Sequence, residues 1–242
     1  MNNLRAKIIL ITGGSRGIGL AIAQACASEG AQTLLVARHR AALERARLSV
    51  PGAIALPADV TRAADLARLF KSVAQRFDRL DVLVNNAGVF TFKPFVRTSL
   101  ADWEKNLRSN LTSLFLVTRA ALPLLDRSRS PQIVNILSVS SRSAFPNCSA
   151  YSASKFGALG FTRVLAKELP RIRVTAVLPG ATNTRMADEF NFPIDRSKLL
   201  RPEDVARSVV SALVEPAHAN IQEILLTPSA GDFSRRPRTK KK

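Results

Sequence analysis

The sequence predicts an α/β fold in which a parallel, doubly wound seven-stranded sheet carries helices on both faces. Short runs rich in β-branched residues alternate with longer segments of helical period, which is typical of strands joined by crossover helices. Most strand candidates are nearly continuous apolar runs, as expected for strands buried on both faces. The chain has 242 residues, 46% of them hydrophobic, and no linker divides its body. We therefore expect a single domain with a large core.

Seven segments are predicted to form strands. They are residues 7–11, 33–37, 53–56, 82–85, 133–137, 173–178 and 223–226. Apolar residues recur at helical spacing in two of the intervening segments, namely Ile18, Ile22 and Cys26 in the first and Leu66, Leu69, Phe70 and Val73 in the second. Each set lines one side of a helix, so both helices are predicted to cover the sheet.

The formal net charge is +18, and six of those positive charges lie in the last eight residues without any acidic residue. A chain this basic is a candidate for binding nucleic acid, anionic lipid or acidic proteins. Blocks of like charge repel and rarely fold, so a solvated tail and a tail with an anionic partner both remain open. We expect residues 1–233 to form the folded domain and residues 234–242 a basic tail.

The two cysteines, Cys26 and Cys148, are far apart and show no spacing typical of a metal site or a disulfide framework. The chain begins Met-Asn-Asn-Leu-Arg and enters a strand pattern without the zones of a signal peptide, and its apolar runs are too short to span a bilayer. We expect a cytoplasmic protein without a metal site or membrane insertion.

A glycine-rich turn, Thr12-Gly13-Gly14-Ser15-Arg16-Gly17-Ile18-Gly19, follows the first strand and opens directly into the first helix. Gly13 allows a sharp turn, Gly17 lets the backbone approach a pyrophosphate, and Gly19 lets the helix lie near the strand. The unpaired N–H groups of the helix N-terminus favour an anion there. A dinucleotide is the predicted ligand of this turn, with Ser15, Arg16 and Ile18 beside it, although the spacing alone also suits a structural loop.

The second strand ends in Val36-Ala37-Arg38. It lacks the acidic residue that usually stands at this position and accepts hydrogen bonds from a ribose 2'-hydroxyl. Arg38 and Arg16 can instead bind a 2'-phosphate, so NADP(H) is predicted over NAD(H). Both arginines also suit an ordinary basic surface. Asp59, followed by Val60 at the end of the third strand, is a candidate partner of the adenine amine or an N-cap for a helix starting at Thr61.

Tyr151 and Lys155 are four residues apart, which places them on one face of a helix. A nearby ammonium stabilises a phenolate and lowers the phenol pKa, which suits Tyr151 to acid/base chemistry. An exposed helix pair has the same spacing, but Tyr151 is the only tyrosine of the chain.

Taken together, these residues resemble the classical short-chain dehydrogenase/reductase family over about residues 7–227. Further motifs agree in order and spacing. They are Asn85-Asn86-Ala87-Gly88, Asn110 within Ser-Asn-Leu, Ser138 at the end of Asn-Ile-Leu-Ser, and Pro179-Gly180 followed by Thr184. The resemblance implies a Rossmann-like fold and an NADP(H)-dependent oxidoreductase that reduces a ketone or aldehyde to an alcohol, reversibly.

The resemblance also implies roles for individual residues. Tyr151 is expected to be the general acid, and Ser138, thirteen residues earlier, the hydrogen-bond donor to the substrate carbonyl oxygen. Lys155 is expected to bind the nicotinamide ribose and lower the Tyr151 pKa. Asn110 is expected to hold a water that links Lys155 to solvent.

Further cofactor contacts are expected from Asn86, Ala87, Gly88, Pro179, Gly180, Thr182 and Thr184, although the first three suit a structural role equally. Residues 185–200 are expected to form a lid over the substrate, with Met186 and Phe190 in its apolar wall. Ser140 is expected to line the substrate pocket or cap its loop, and Ala144 begins a variable loop at that pocket.

The resemblance implies a homodimer or homotetramer with an interface formed by the helices that carry Asn110 and Tyr151. Apolar surface on these helices is expected from Leu114, Phe115, Phe156 and Phe161. The segment after the last strand lacks the family's Gly-rich pattern, which puts a tetramer in doubt. A 3-oxoacyl group on a carrier protein or coenzyme A would suit the basic surface, whereas a small carbonyl compound would suit the lid. A catalytically silent scaffold that binds nucleic acid or anionic lipid through the tail is the rival from another class.

Overall fold

The computed structural model describes residues 3–190 and 192–229, and these contain one seven-stranded parallel sheet. The strands are β1 Ile8–Thr12, β2 Gln32–Ala37, β3 Ile54–Pro57, β4 Val82–Asn85, β5 Gln132–Ile136, β6 Arg173–Pro179 and β7 Glu223–Leu226. Every predicted strand is present, with each end within one residue of its expected position. The predicted basic tail lies outside the described residues.

Seven α-helices connect or follow these strands. They are α1 Gly17–Ser28, α2 Arg40–Leu48, α3 Ala63–Arg76, α4 Leu100–Leu107, α5 Ser113–Leu125, α6 Ser149–Glu168 and α7 Pro202–Val214. A π-helical turn, Arg108–Thr112, joins α4 to α5. Within the described residues, no helix combines the length and the apolar character needed to cross a membrane.

Alternate side chains of each strand supply the two halves of the core. On one face, Ile9 and Ile11 of β1 pack with residues of α1, α2 and α7. On the other face, Ile8 and Leu10 of the same strand pack with residues of α3, α5 and α6. The period of two along each strand therefore requires helices on both faces, as the apolar strand runs predicted.

The strand order is β3-β2-β1-β4-β5-β6-β7. The chain moves outward from β1 through β2 to β3 and then returns to place β4 against the other side of β1. The direction of winding therefore reverses between β1 and β4, and ligands of such sheets bind beyond the carboxyl ends of the strands at this reversal. This order is that of a Rossmann-like doubly wound fold, as predicted.

Candidate active site

The glycine turn lies at this reversal, between β1 and α1. Gly17 has a φ of +54°, in the left-handed region that favours glycine. A Cβ atom on Gly19 would lie 2.4 Å from both the carbonyl oxygen of Gly13 and Nδ2 of Asn86. Only glycine therefore fits at position 19, because the helix begins in direct contact with the turn.

The N-terminus of α1 is well suited to an anion. Arg16 occupies its N-cap position, no side chain accepts a hydrogen bond from the first turn, and that turn contains no acidic residue. The backbone N–H groups there lack intrahelical partners, so a phosphate group can satisfy them. Ser15 and Ile18, which flank this turn, are partly buried. The residues present thus fit the pyrophosphate of a dinucleotide.

Asn86 fastens the glycine turn to the end of β4. Its Nδ2 donates to the Thr12 carbonyl oxygen at 2.9 Å, and its backbone N–H donates to Thr12 Oγ1 at 2.9 Å. The backbone N–H of Ala87 donates to the same hydroxyl at 3.1 Å. A Cβ atom on Gly88 would lie 2.9 Å from Oδ1 of Asn110. These contacts give the motif the structural role left open above.

Arg16, in the glycine turn, and Arg38, directly after β2, are both exposed. Burial raises the pKa of Asp59, but hydrogen bonds from Thr61 and the charges of Arg38 and Arg62 outweigh it, and the pKa is lowered. Asp59 Oδ1 accepts from the backbone N–H of Thr61 at 2.9 Å and from its hydroxyl at 2.8 Å.

The expectation that Asp59 caps a helix starting at Thr61 is wrong, because α3 begins at Ala63 with Arg62 in its N-cap position. Asp59 instead accepts hydrogen bonds from Thr61 in the turn that precedes α3. The positive charge of Arg38 helps to lower the pKa of its carboxylate. Val60 beside it is buried.

Tyr151 and Lys155 lie on the first turns of α6 and are both buried, with 7% and 6% of their surface exposed. Nζ of Lys155 lies 5.8 Å from the centre of the Tyr151 ring and donates to the Ile136 carbonyl oxygen at 3.1 Å. Ser138 follows β5 and begins a 3₁₀ turn, where its Oγ accepts from the backbone N–H of Ser140 at 3.0 Å. The carboxyl end of β5 and the start of α6 thus bring the phenol, the ammonium and the hydroxyl together.

Burial raises the pKa of Tyr151 to about 12, although a hydrogen bond with Ser138 opposes this rise. Burial also lowers the pKa of Lys155 to about 8. Burial disfavours the charged forms of both side chains, and its effect on the Tyr151 pKa is the dominant one in this structure. The lowering of that pKa by Lys155 stays a prediction.

Asn110 lies in the π-helical turn between α4 and α5 and links two parts of the site. Its Nδ2 donates to the Val89 carbonyl oxygen at 3.0 Å and to Ser154 Oγ at 2.9 Å, and its Oδ1 accepts from the Val89 N–H at 2.8 Å. Ser154 in turn donates to the Tyr151 carbonyl oxygen. Asn110 therefore links the loop after β4, through Val89, to α6, through Ser154.

A small cavity lies beside this amide and is lined in part by Asn110, Ile136 and Lys155. It is about large enough for one water molecule, and polar groups line it. The proton relay expected of Asn110 stays a prediction. Such a water would bind Oδ1 of Asn110 or other polar groups that line the cavity, among them Lys155, since the Asn110 amide hydrogens already have acceptors.

The segment after β6 also reaches the crevice. Gly180 follows Pro179, and its backbone N–H donates to the Leu226 carbonyl oxygen at 2.7 Å. A Cβ atom on Gly17 would lie 3.2 Å from Cγ2 of Thr184, so Thr184 borders the glycine turn. Thr182 forms a parallel bridge with Leu200, which closes the base of the segment expected to form the lid.

The substrate residues expected from the sequence have different surroundings. Ser140 is buried against Ser138, whereas Ala144 is exposed and Met186 is 39% exposed. Phe190 packs against Phe90, with ring centres 5.2 Å apart. Of the two residues expected in the apolar wall, Phe190 thus has aromatic neighbours and Met186 is partly exposed, and their roles toward a substrate stay predictions.

Sequence reasoning missed two neighbours of Tyr151. Phe90 meets the Tyr151 ring edge-on at 4.7 Å between centres, and Cys148 is buried in the same cluster. Phe90 comes two residues after the Asn-Asn-Ala-Gly motif and 61 residues before Tyr151. No local pattern in the sequence predicts a contact between residues so far apart. Cys148, three residues before Tyr151, could have been found from helical spacing.

Comparisons with known proteins agree with this geometry. The family model of short chain dehydrogenases matches residues 7–193. A 3-oxoacyl-[acyl-carrier-protein] reductase of Synechocystis sp. is 37% identical over 233 residues, which cover 91% of this chain and 94% of that protein. An uncharacterized oxidoreductase of Staphylococcus aureus is 32% identical over 232 residues, 94% of this chain and 100% of that protein.

A solved structure shows the same fold. It is an alcohol dehydrogenase from the archaeon Thermococcus sibiricus complexed with 5-hydroxy-NADP, with a TM-score of 0.86 and 28% sequence identity over 97% of this chain and 100% of that one. Fold and site together define an oxidoreductase of the Rossmann-like class that uses a nicotinamide cofactor. The chain belongs to the short-chain dehydrogenase family.

Proposed function

We propose that this protein is an NADPH-dependent reductase that converts a ketone or aldehyde carbonyl to an alcohol, reversibly. The observation that carries the proposal is the meeting of Tyr151, Ser138 and Lys155 at the carboxyl end of β5, in the fold whose crevice also holds the glycine turn. Two hydroxyl groups that point to one place beside a buried ammonium are suited to stabilising a developing oxyanion.

Tyr151 donates a proton to the carbonyl oxygen, and Ser138 donates a hydrogen bond to the same oxygen. Burial raises the pKa of Tyr151, so the phenol is protonated in the neutral range and carries the proton that reduction requires. Charge from Lys155 and the bound cofactor would favour release of that proton. Lys155, held by the Ile136 carbonyl oxygen, supplies positive charge beside the phenol. The nicotinamide cofactor supplies the hydride when bound.

The preference for NADPH is supported by the charges at the adenosine end. Arg16 and Arg38 are exposed there, and β2 ends without the acidic side chain that would accept bonds from a ribose 2'-hydroxyl. The related alcohol dehydrogenase is described in complex with an NADP derivative. Both observations favour a 2'-phosphate.

Titration of NADPH and NADH by nicotinamide fluorescence tests this preference on the parent and on Arg38→Asp. We expect the parent to bind NADPH at least about tenfold more tightly, and the variant to lose that preference. Equal affinity of the parent for both cofactors would contradict it. A Tyr151→Phe variant should bind NADPH normally and lose at least about 100-fold in turnover, which tests the reaction separately.

A second candidate is the reduction of 3-oxoacyl groups carried by an acyl-carrier protein or coenzyme A. The 37% identical relative has that activity in its name, and the net charge of +18 suits an acidic carrier. Steady-state rates with acetoacetyl-coenzyme A and with free carbonyl compounds separate the two candidates. Reaction with free carbonyl compounds alone excludes the carrier.

The rival in which the basic tail binds nucleic acid or anionic lipid is tested by deleting the residues after Phe233. A reductase keeps its turnover after this deletion, whereas a binding scaffold loses its salt-dependent affinity. We also propose a cytoplasmic location, consistent with Cys26 and Cys148 both being free and buried.

We propose further that the protein is a homodimer or homotetramer. Phe115 on α5 is 43% exposed, and Phe156 and Val164 on α6 are 45% and 47% exposed. Phe161 packs against Phe115 with ring centres 6.1 Å apart. The expectation that Leu114 also contributes apolar surface is wrong, because it is buried in a core cluster against α6 and β6.

A further inference from the structure

Five phenylalanine side chains form a continuous aromatic cluster over the phenol of Tyr151. They are Phe90, Phe92, Phe145, Phe190 and Phe192, and we call them the phenylalanine cluster. Two come from the loop after β4, one from the segment before α6 and two from the segment after β6. The chain has twelve phenylalanines, so nearly half of them meet at this one place.

The rings form a path from the phenol to the surface. Phe90 touches Tyr151 and is 8% exposed, Phe190 lies 5.2 Å from both Phe90 and Phe92, and Phe192 at the outer end is 41% exposed. Phe192 in turn lies 5.8 Å from Phe92. A substituent that extends from Tyr151 along this path meets aromatic rings.

Buried charge is scarce in this molecule. Among the described residues, Asp81 and Lys155 are the only buried charged side chains, and Asp81 directly precedes β4, at the amino end of that strand. Within the cluster, Cys148 contributes a thiol, whose pKa burial raises to about 11, and the hydroxyl of Ser138 lies beside the phenol. A neutral thiol is a weak donor and a weak acceptor, so the cluster offers little to a second polar group of the substrate.

We infer that the substrates are carbonyl compounds with an aromatic or comparably large apolar substituent, selected by the phenylalanine cluster. An aromatic ring of the substrate can pack against Phe90, Phe92 and Phe190 in the tilted and edge-on arrangements that these rings already adopt with one another. A 3-oxoacyl thioester would bring a second carbonyl into the same surroundings. This inference rests on the proposed reductase function and favours its free-carbonyl form over the carrier form.

The test compares kcat/KM for two methyl ketones, 4-phenylbutan-2-one and butan-2-one, with NADPH and the full chain. The reacting group is the same in both, so their ratio reports binding of the phenyl substituent. We expect a ratio of at least about 100 for the parent, since even one methylene in an apolar pocket changes kcat/KM by about tenfold or more. Phe92→Ala and Phe190→Ala should each lower the ratio about tenfold, because each removes a ring that contacts the phenyl substituent.

Phe95→Ala is the matched control, because Phe95 lies in the same loop as Phe92 but is 79% exposed. It should leave the ratio unchanged. Phe190→Leu keeps apolar bulk without the ring and should retain an intermediate ratio, which guards against a loss of folding in the alanine variant. These controls separate recognition of the substituent from a general effect on the loop.

Three outcomes overturn the inference and are distinguishable from failure of the proposed function. Equal kcat/KM for both ketones, or a preference for acetoacetyl-coenzyme A over 4-phenylbutan-2-one, rejects the substrate class while the protein remains a reductase. A ratio unaffected by both alanine variants rejects the cluster as its cause. If neither ketone nor acetoacetyl-coenzyme A is reduced with NADPH or NADH, the reductase proposal itself fails, and the inference with it.

Discussion

Lys155 and Tyr151 are buried within one turn of each other, and burial favours the neutral form of both side chains. At neutral pH the free-energy cost of burial is larger for Lys155, because with a pKa of about 8 most of its side chains are charged, whereas the Tyr151 phenol is neutral. The structure tolerates this charge with a single backbone acceptor, the Ile136 carbonyl oxygen, within the described residues. A buried ammonium held at such a cost is typical of a functional site.

Replacement of Lys155 by methionine should therefore stabilise the protein at pH 7 while abolishing reduction. The lysine pKa falls from 10.5 to about 8 on folding, which corresponds to a penalty on the order of 3 kcal/mol below pH 8. Between pH 8 and 10.5 the unfolded state binds more protons, so the stability of the parent rises with pH and the gap to the variant closes.

Urea unfolding of both proteins from pH 6.5 to 10 measures this gap. A methionine variant that is less stable than the parent at pH 7, or a gap that widens as the pH rises, would contradict the assigned direction of the Lys155 pKa. Turnover of the variant, measured separately, reports the chemical role of the ammonium.

Two glycines at different places should respond in opposite ways to alanine. Gly19→Ala places a Cβ atom 2.4 Å from the Gly13 carbonyl oxygen, so backbone must move, and we expect a loss of more than about 2 kcal/mol together with weaker NADPH binding. Gly160→Ala, inside α6 and with open space at its Cβ position, should stabilise by about 0.5–1 kcal/mol. Thermal unfolding measures both changes, and equal effects would refute the packing argument at Gly19.

At the scale of elements, a chain of buried polar side chains ties the sheet to the helices of the site. Nδ2 of Asn85 in β4 donates to Thr118 Oγ1 in α5 and to Asn135 Oδ1 in β5. Nδ2 of Asn135 donates to Thr162 Oγ1 in α6, and that hydroxyl donates to the Ala158 carbonyl oxygen. Thr162 lies two turns after Lys155, so this network holds the helix that carries Tyr151 and Lys155.

Asn135→Ala should destabilise the protein by about 2–4 kcal/mol, because Asn85 would lose a buried acceptor and Thr162 a buried donor. Urea unfolding checks the value. Asn220→Ala is the control, since its one side-chain hydrogen bond is 3.5 Å long and the residue is exposed, and it should change stability by less than about 0.5 kcal/mol. Similar losses for both variants would show that the network adds nothing beyond an ordinary hydrogen bond.

At the scale of the whole molecule, apolar side chains on α5 and α6 lie on the outside of the described chain. Phe156 and Val164 are eight residues apart, about two turns, on the outer side of α6. Phe115 on α5 contacts Phe161, which also belongs to α6. Exposed aromatic groups of this kind commonly mark an interface between subunits.

We expect Phe156→Asp to convert the oligomer to single chains at micromolar concentration, because the carboxylate would be buried without a partner in a self-complementary interface. Size-exclusion chromatography with light scattering gives the mass of each variant. Phe95→Asp serves as the control, since Phe95 lies in another exposed loop and should leave the mass unchanged. A parent protein that already runs as a single chain would refute the proposed interface.

The sequence by itself determined the seven strands, the helices on both faces, the glycine turn and the pairing of Tyr151 with Lys155. These features depend on local period and spacing, which backbone geometry converts directly into structure. Only the tertiary structure decided that the Tyr151 pKa rises, that Asn85 reaches Asn135, and that five phenylalanines from three segments meet over the phenol. Burial and contacts between distant segments are properties of the folded packing, and no short-range pattern encodes them.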